Sequence, residues 1–393
     1  MSPHAEAFAR TRGSLSIVAS YATMFMLGVT IALLGPSLPG LAQRSSLELD
    51  EAGFLFTLFS GGSVVATLLV ARYMDRPVRH PLLIAGSLLL AWALYWTSAS
   101  QDPLQVMAAI SLSGLALSIV GTVPNAIIAD AFRNRSGQAL NTLHVAAGAG
   151  SFVGPLLVGA GIRSGRGYPL AYQLASVAML FIALLWLACR PPPPRRLSRS
   201  VERDGEATPW GTLGLLLAMG FLYTGSEQTV GGWLYTYATL AVRVEPSGAS
   251  VITAVFWGCV LAGRLAASCA LARMSNARLV AVSLTLALLG IVCLLGSVHA
   301  WFILWPGVAL IGFGFGPVFP TLLALAAQTF SDRAGMSSSL IIASGSAGAM
   351  LLPWAGGALI PTIGILGSMA GTIAPLLAIL GLLRCFTRLR SPR

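Results

Sequence analysis

The sequence predicts an all-α membrane protein of twelve transmembrane helices, arranged as two pseudo-symmetric six-helix bundles with both termini in the cytoplasm. Three observations predict it. Of 393 residues, 56% are apolar and only 9% charged, with mean hydropathy +0.80, a balance outside the range of soluble domains. Apolar runs of the ~20 residues needed to cross a bilayer recur along the whole chain. The arginines, finally, gather in alternate gaps between those runs, as the positive-inside rule requires.

The first run, 15–42, follows a segment 1–14 that carries Arg10 and Arg12. It is too long for the apolar core of a secretion signal and lacks a small-residue cleavage site after it, so it is expected to persist as helix 1. Runs 51–74, 80–100, 103–131, 137–162 and 169–190 complete a first bundle, 15–190. Arg190-Pro191-Pro192-Pro193-Pro194-Arg195-Arg196 then opens a stretch rich in proline and charge without helical periodicity. Residues 191–209 therefore read as a cytoplasmic linker, stiff at its proline end. Runs 210–240, 248–271, 278–298, 301–330, 335–360 and 362–386 form the second bundle, 210–386, and residues 387–393 a cytoplasmic tail.

Net charge +11 and an isoelectric point near 10.2 would suggest nucleic acid as the partner of a soluble chain. Here topology accounts for them. There is no lysine, and with the N-terminus inside, 19 of the 24 arginines fall on the cytoplasmic side; Arg44, Arg163, Arg166 and Arg243 fall outside, and Arg264 lies within a span. The five cysteines are scattered in or at the ends of spans and read as small buried apolar residues. The 43 glycines cluster in spans, as in Gly148-Ala149-Gly150 and Gly345-Ser346-Ala347-Gly348, where small residues serve close helix packing and also bending at moving surfaces.

The second half repeats the first at an offset of roughly 197 residues, the kind of signal to be sought before any motif is trusted. Ala131-Phe132-Arg133-Asn134-Arg135-Ser136-Gly137 matches Thr329-Phe330-Ser331-Asp332-Arg333-Ala334-Gly335. Gly150 and Pro155 match Gly348 and Pro353, and Pro124 matches Pro320. Two parallel six-helix repeats, each with an inverted 3+3 repeat inside it, are the plan of the major facilitator superfamily, whose solute site lies between the halves at mid-bilayer.

Ala71-Arg72-Tyr73-Met74-Asp75-Arg76-Pro77-Val78-Arg79 resembles the G-x-x-x-D-R-x-G-R loop of that superfamily, with Ala71 and Val78 standing where glycines are usual. The resemblance implies that Asp75 caps a neighbouring helix N-terminus and pairs with arginine to hold the cytoplasmic side shut, with Arg76 and Arg79 as its companions. A carboxylate gains there from the helix dipole and from free N–H groups. Arg264, and Arg333 of the second-half repeat, join this gating set. Tyr223-Thr224-Gly225-Ser226-Glu227-Gln228 with Gly231-Gly232-Trp233, Phe256-Trp257-Gly258 with Gly263-Arg264, and Gly314-Phe315-Gly316-Pro317-Val318-Phe319-Pro320 resemble the sugar branch that holds the fucose permeases and the sodium-coupled glucose cotransporter-like proteins. Spans 1 and 4, where the fucose permeases carry membrane-embedded acids, have no such acid here; span 4 offers Asn125 instead.

Glu227 is the one acidic residue that cannot be placed at or near a membrane surface. A carboxyl in hydrocarbon costs several kcal/mol on any scale, so a chain that keeps one keeps it for ion or substrate handling. Sugars are recognised by amides and carboxylates that grip neighbouring hydroxyls and by an indole stacked on the C–H face. Glu227, Gln228 and Trp233 supply these groups within two turns, and Gly231-Gly232 between them could let the helix unwind at the site. Asn125 in span 4, with Asn141 and His144 three apart on one face of span 5, would contribute from the first half.

Low dielectric favours the neutral form of a carboxyl, so Glu227 is expected to take a proton from one side and release it to the other. Arg264 lies ~10 Å from the cytoplasmic end of its span and Glu227 ~25 Å from its own, so their pairing is not expected. The resulting expectation is proton-coupled uptake of a sugar or related polar solute, with sodium as a variant driving ion and proton-antiport efflux as the rival. The efflux reading draws on Gly150-Ser151-Phe152-Val153-Gly154-Pro155, which partly resembles the exporters' glycine–proline signature. No nucleophile–base set, metal cluster or phosphate loop points to an enzyme or a cofactor. The expected partners are a small solute and the lipid of the cell membrane, for a chain working as a monomer.

Overall fold

The computed structural model describes residues 3–71, 78–132, 135–189, 191, 210–270, 274–330 and 333–390. All regular structure in them is helical: α1 (Pro3–Ser45), α2 (Leu49–Ala52), α3 (Phe54–Ala71), α4 (Arg79–Ala99), α5 (Pro103–Ala131), α6 (Ser136–Arg163), α7 (Tyr168–Ala188), α8 (Trp210–Leu240), α9 (Pro246–Ala270), α10 (Asn276–Gly296), α11 (Leu304–Phe315), α12 (Val318–Thr329), α13 (Ala334–Ala358), α14 (Ile360–Ala370) and α15 (Ile373–Arg390). Where these helices start follows local chemistry. Asp102 caps α5 by accepting from the N–H groups of Leu104 and Gln105 at 2.9 and 3.2 Å, with Pro103 next, where its missing donor costs nothing. Ser275 caps α10 through the Arg278 N–H.

Among the described residues, nine helices are long and apolar enough to cross a membrane, or ten when α14 and α15, bent by 44°, are taken as one span. Three expected spans, 51–74, 210–240 and 362–386, lie outside the nine, and the last two differ for visible reasons. Gly364 adopts φ +70° inside α14, a conformation that suits a residue without Cβ, and the chain kinks there and again before α15. α8, at 31 residues, is ~46 Å long and could span ~30 Å of hydrocarbon. Its apolar character is diluted by Thr224-Gly225-Ser226-Glu227-Gln228-Thr229 and Gly231-Gly232.

The chain forms two compact units. The first comprises Met1–Leu33, Gln43–Ser46 and Gly61–Arg203; the second comprises Leu34–Ala42, Leu47–Ser60 and Asp204–Arg393. These units differ from the sequence halves 15–190 and 210–386, because parts of α1, α2 and α3 pack with the second unit. The reason is close contact: a Cβ on Gly35 would meet the carbonyl oxygens of Gly232 and Gly231 at 2.7 and 2.9 Å. Thr57 also donates to the Met350 carbonyl at 2.8 Å.

In the first unit α4 packs on α5 and α7 around fully buried Leu83, Leu90, Leu94, Val120, Ile127 and Trp186. α1 and α6 touch backbone to backbone: a Cβ on Gly28 would overlap the Ala147 carbonyl, and one on Gly150 the Phe25 carbonyl. That contact accounts for the glycines of Gly150-Ser151-Phe152-Val153-Gly154-Pro155 as packing residues. The second unit repeats the device about 197 residues on, where a Cβ on Gly348 would overlap the Phe221 carbonyl and one on Gly225 would meet the Gly348 oxygen at 2.9 Å. α8 and α13 thereby form an intimate pair.

Candidate functional site

Two hydroxyls beside Glu227 satisfy themselves on their own helix. Ser226 donates to the Leu222 carbonyl and Thr229 to that of Gly225, both at 2.7 Å. Such back-bonding lets hydroxyls sit in an apolar setting. Glu227 has no such recourse, since a carboxylate offers only acceptors. It is 5% exposed, and its Oε1 accepts from the Tyr223 hydroxyl, one turn earlier, at 2.9 Å. The same oxygen meets Nη2 of Arg264 from α9 at 3.4 Å.

This ion pair corrects the expectation that Arg264 and Glu227 lie too far apart. Counting from Trp210 and Ala270 assumes that those helix ends are level. Reckoned from the connection Leu240–Pro246 that α8 and α9 share, Glu227 lies ~20 Å and Arg264 ~27 Å along their helices. An extended arginine side chain covers the remaining ~7 Å. Glycine brings the helices together here: a Cβ on Gly263 would overlap the Phe313 carbonyl of α11, and one on Gly316 would meet the Arg264 N–H at 2.7 Å.

Tyr223 is fully buried and was not singled out from the sequence. Its ring stands edge-on to Phe315 at 5.8 Å and stacks with Phe319 at 6.3 Å, so it straddles the interruption between α11 and α12. Its hydroxyl also reaches the Phe315 carbonyl at 2.7 Å. The one signal in the sequence was its i, i+4 spacing from Glu227.

The remaining candidates are distributed as follows. Gln228 is half-buried beside Glu227. Trp233 departs from the role of stacking platform: it is fully buried, its N–H is spent on the Pro353 carbonyl at 2.9 Å, and its ring is covered by Phe56, Gly53 and Gly357. Gly231 and Gly232 do not unwind α8, which runs unbroken through them; their missing side chains make room for Trp257 and Phe56. Asn125, Asn141 and His144 belong to the first unit. Asn125 donates to the Gly121 carbonyl of its own helix at 2.6 Å, while Asn141 and His144 are exposed on α6.

Of the gating residues, Asp75 and Arg76 lie outside the described residues, as do most of the linker 191–209 and the end of the tail. Arg79 is 3% exposed and pairs at 2.7 Å with Asp130, joining the start of α4 to the last turn of α5. Asp130 was read only as an acid near the membrane surface, and nothing in the spacing marked it as this arginine's partner. Arg333 sits half-buried at the N-cap of α13, its N–H on the Phe330 carbonyl. A separate cavity of about 410 Å³ opens between α8, α13 and the α14–α15 bend, lined by Leu222, Ser226, Thr229, Leu352, Gly356 and Thr372. Glu227 does not line it, being turned to the other side of α8.

A multi-pass helical chain that keeps an acid–arginine pair within its spans has the architecture expected of a membrane transporter. The chain belongs to the Major Facilitator Superfamily, whose family model matches residues 20–243. It is similar to sodium-dependent glucose transporter 1 of Xenopus laevis, with 24% identity over 356 residues that cover 83% of this chain and 72% of that protein. A glucose/galactose transporter of Brucella abortus (strain 2308) is 26% identical over 223 residues, 55% of this chain and 50% of its own. Among solved structures, a bacterial homologue of the human lysosomal transporter Spinster shares the fold with TM-score 0.77 at 14% identity, covering 96% of this chain and 97% of that one.

Proposed function

We propose that this protein is a secondary active transporter that carries a sugar or similarly hydroxylated solute across the cell membrane by alternating access, with Glu227 as the coupling group. The observation that carries the reading is the Glu227–Arg264 pair with Tyr223 on the same carboxylate oxygen. An ion pair kept in mid-span has little use as a stabiliser, since desolvation offsets much of its attraction, whereas ionisable groups within spans serve ion and substrate pathways. The sugar assignment is supported by relatives named as glucose transporters. Glu227 and Gln228 are the proposed solute contacts. The Arg79–Asp130 pair is the proposed inner fastening, and Trp233 a sealing rather than a sugar-stacking residue.

Proton-coupled uptake by a monomer is the form we favour. In proteoliposomes Glu227→Gln is expected to abolish accumulation driven by a pH gradient while leaving counterflow of radiolabelled sugar in place. Accumulation that survives the substitution intact would refute the coupling role. Replacing Na⁺ with choline in the same vesicles separates the sodium form, which the names of the animal relatives support, from the proton form.

A further inference from the structure

The Tyr223 hydroxyl owns one proton and stands within hydrogen-bonding reach of two acceptors, the Phe315 carbonyl at 2.7 Å and Glu227 Oε1 at 2.9 Å. It can donate to only one of them at a time. When Glu227 is ionised, the carboxylate is the stronger acceptor, the hydroxyl turns to it, and the Phe315 carbonyl loses the Tyr223 proton. When Glu227 is protonated, its own O–H donates to the Tyr223 oxygen, and Tyr223 donates to Phe315. Every group is then satisfied.

Tyr223 and Arg264 stand at 2.9 and 3.4 Å from the same carboxyl oxygen of Glu227. Arg264 from α9 and Tyr223 from its own helix are the groups that act electrostatically on Glu227. α11 and α12 bring the Phe315 carbonyl and apolar rings, and α13 packs on α8 through Gly345, Gly348 and Leu352.

The Phe315 carbonyl matters because of its place. Pro317 and Pro320 have no N–H, which deprives the carbonyls of Phe313 and Gly316 of their helical donors. Tyr223 donates to the Phe315 carbonyl at a junction packed directly on Gly263 and Arg264 of α9, so turning that proton away removes a tie between α8 and the junction. The Tyr223 ring is held between Phe315 and Phe319, and the rotation of its O–H is the movement that answers Glu227.

We propose that Tyr223 is a positioning residue which, by aiming its single proton at either Glu227 or the Phe315 carbonyl, transmits the protonation of Glu227 to the α11–α12 junction. The inference rests on the reading of Glu227 as the coupling group. The tyrosine proton never leaves; the transported proton enters and leaves on Glu227 alone.

The test is infrared difference spectroscopy of the purified full chain across a pH titration, alongside transport in proteoliposomes. Glu227→Gln identifies the carboxylic-acid C=O band of Glu227 by its disappearance. Tyr223→Phe keeps the clamped ring and removes the hydroxyl. It is expected to shift that band and to displace the pH midpoint of sugar counterflow by about one unit, a tenfold change in proton occupancy at fixed pH. A band that is present in the parent and unmoved in Tyr223→Phe, with an unchanged midpoint, overturns the inference and leaves the role of Glu227 standing. Absence of any Glu227-dependent band at every pH overturns both. Should Tyr223→Phe fail to fold, 3-fluorotyrosine at position 223, which retains ring and hydroxyl but weakens the O–H bond, gives the same readout.

Discussion

At the scale of single residues, the pair between Glu227 and Arg264 invites the most direct perturbation. Removing one partner of a buried pair leaves an uncompensated charge, at a cost of ~3–5 kcal/mol when both are enclosed. Arg264 keeps 36% of its side chain exposed, so solvent screening reduces the figure to about 1–3 kcal/mol. Arg264→Ala is therefore expected to lower the thermal unfolding temperature in detergent, more at high pH, where Glu227 is ionised, than at low pH, where it is neutral. Adding Glu227→Gln should restore most of the loss, because no charge is then orphaned. An Arg264→Ala penalty that is independent of both pH and Glu227→Gln would show that the arginine acts through packing alone.

Glu227 was legible in the sequence because a lone acid in an apolar run has no surface to retreat to. Its partners were not legible. Tyr223 lies close in sequence but owes its placement to Phe315, 92 positions away, and no local pattern records that encounter. The indole of Trp233 has the right chemistry for a sugar face, but burial depends on Phe56, Gly53 and Gly357, which arrive from distant helices.

Helices as elements were far easier to read than their pairings, since an apolar run of sufficient length announces itself while the depth at which two runs face each other does not. The Arg79–Asp130 link illustrates this: both residues sit at span ends, and only the packing of α4 on α5 makes them partners. Asp130→Asn should cost about 1–3 kcal/mol by replacing a charge-assisted hydrogen bond to a guanidinium that is 3% exposed with a neutral one. The Arg79→Leu and Asp130→Leu double variant should recover part of it, as measured by unfolding temperature. Backbone-on-backbone contacts give a second handle on the same scale. Gly348→Ala is expected to reduce the yield of folded protein sharply, because its Cβ would overlap the Phe221 carbonyl. Gly211→Ala, on the same helix pair's other member with open space around it, should be tolerated.

For the whole molecule, the repeat of about 197 residues read from the sequence reappears as the matched contacts of α1 with α6 and α8 with α13. The partition into compact units did not follow from it, because a duplication records ancestry whereas contacts record the present conformation. Residues 34–42 and 47–60 belong to the second unit, where Thr57 donates to the Met350 carbonyl at 2.8 Å. If transport requires that contact to open, a Thr57→Cys and Met350→Cys pair bridged by a short thiol cross-linker should arrest sugar counterflow, and cleavage of the linker should restore it. Full activity in the bridged protein would show that the contact persists through the cycle.

α1 runs from Pro3 to Ser45 with Pro36 and Pro39 inside it, which leaves the carbonyls of Ala32 and Gly35 without their usual intrahelical donors. Two rungs of the ladder are thus already missing within residues 32–39, and bending α1 there breaks fewer hydrogen bonds than bending it where the ladder is complete.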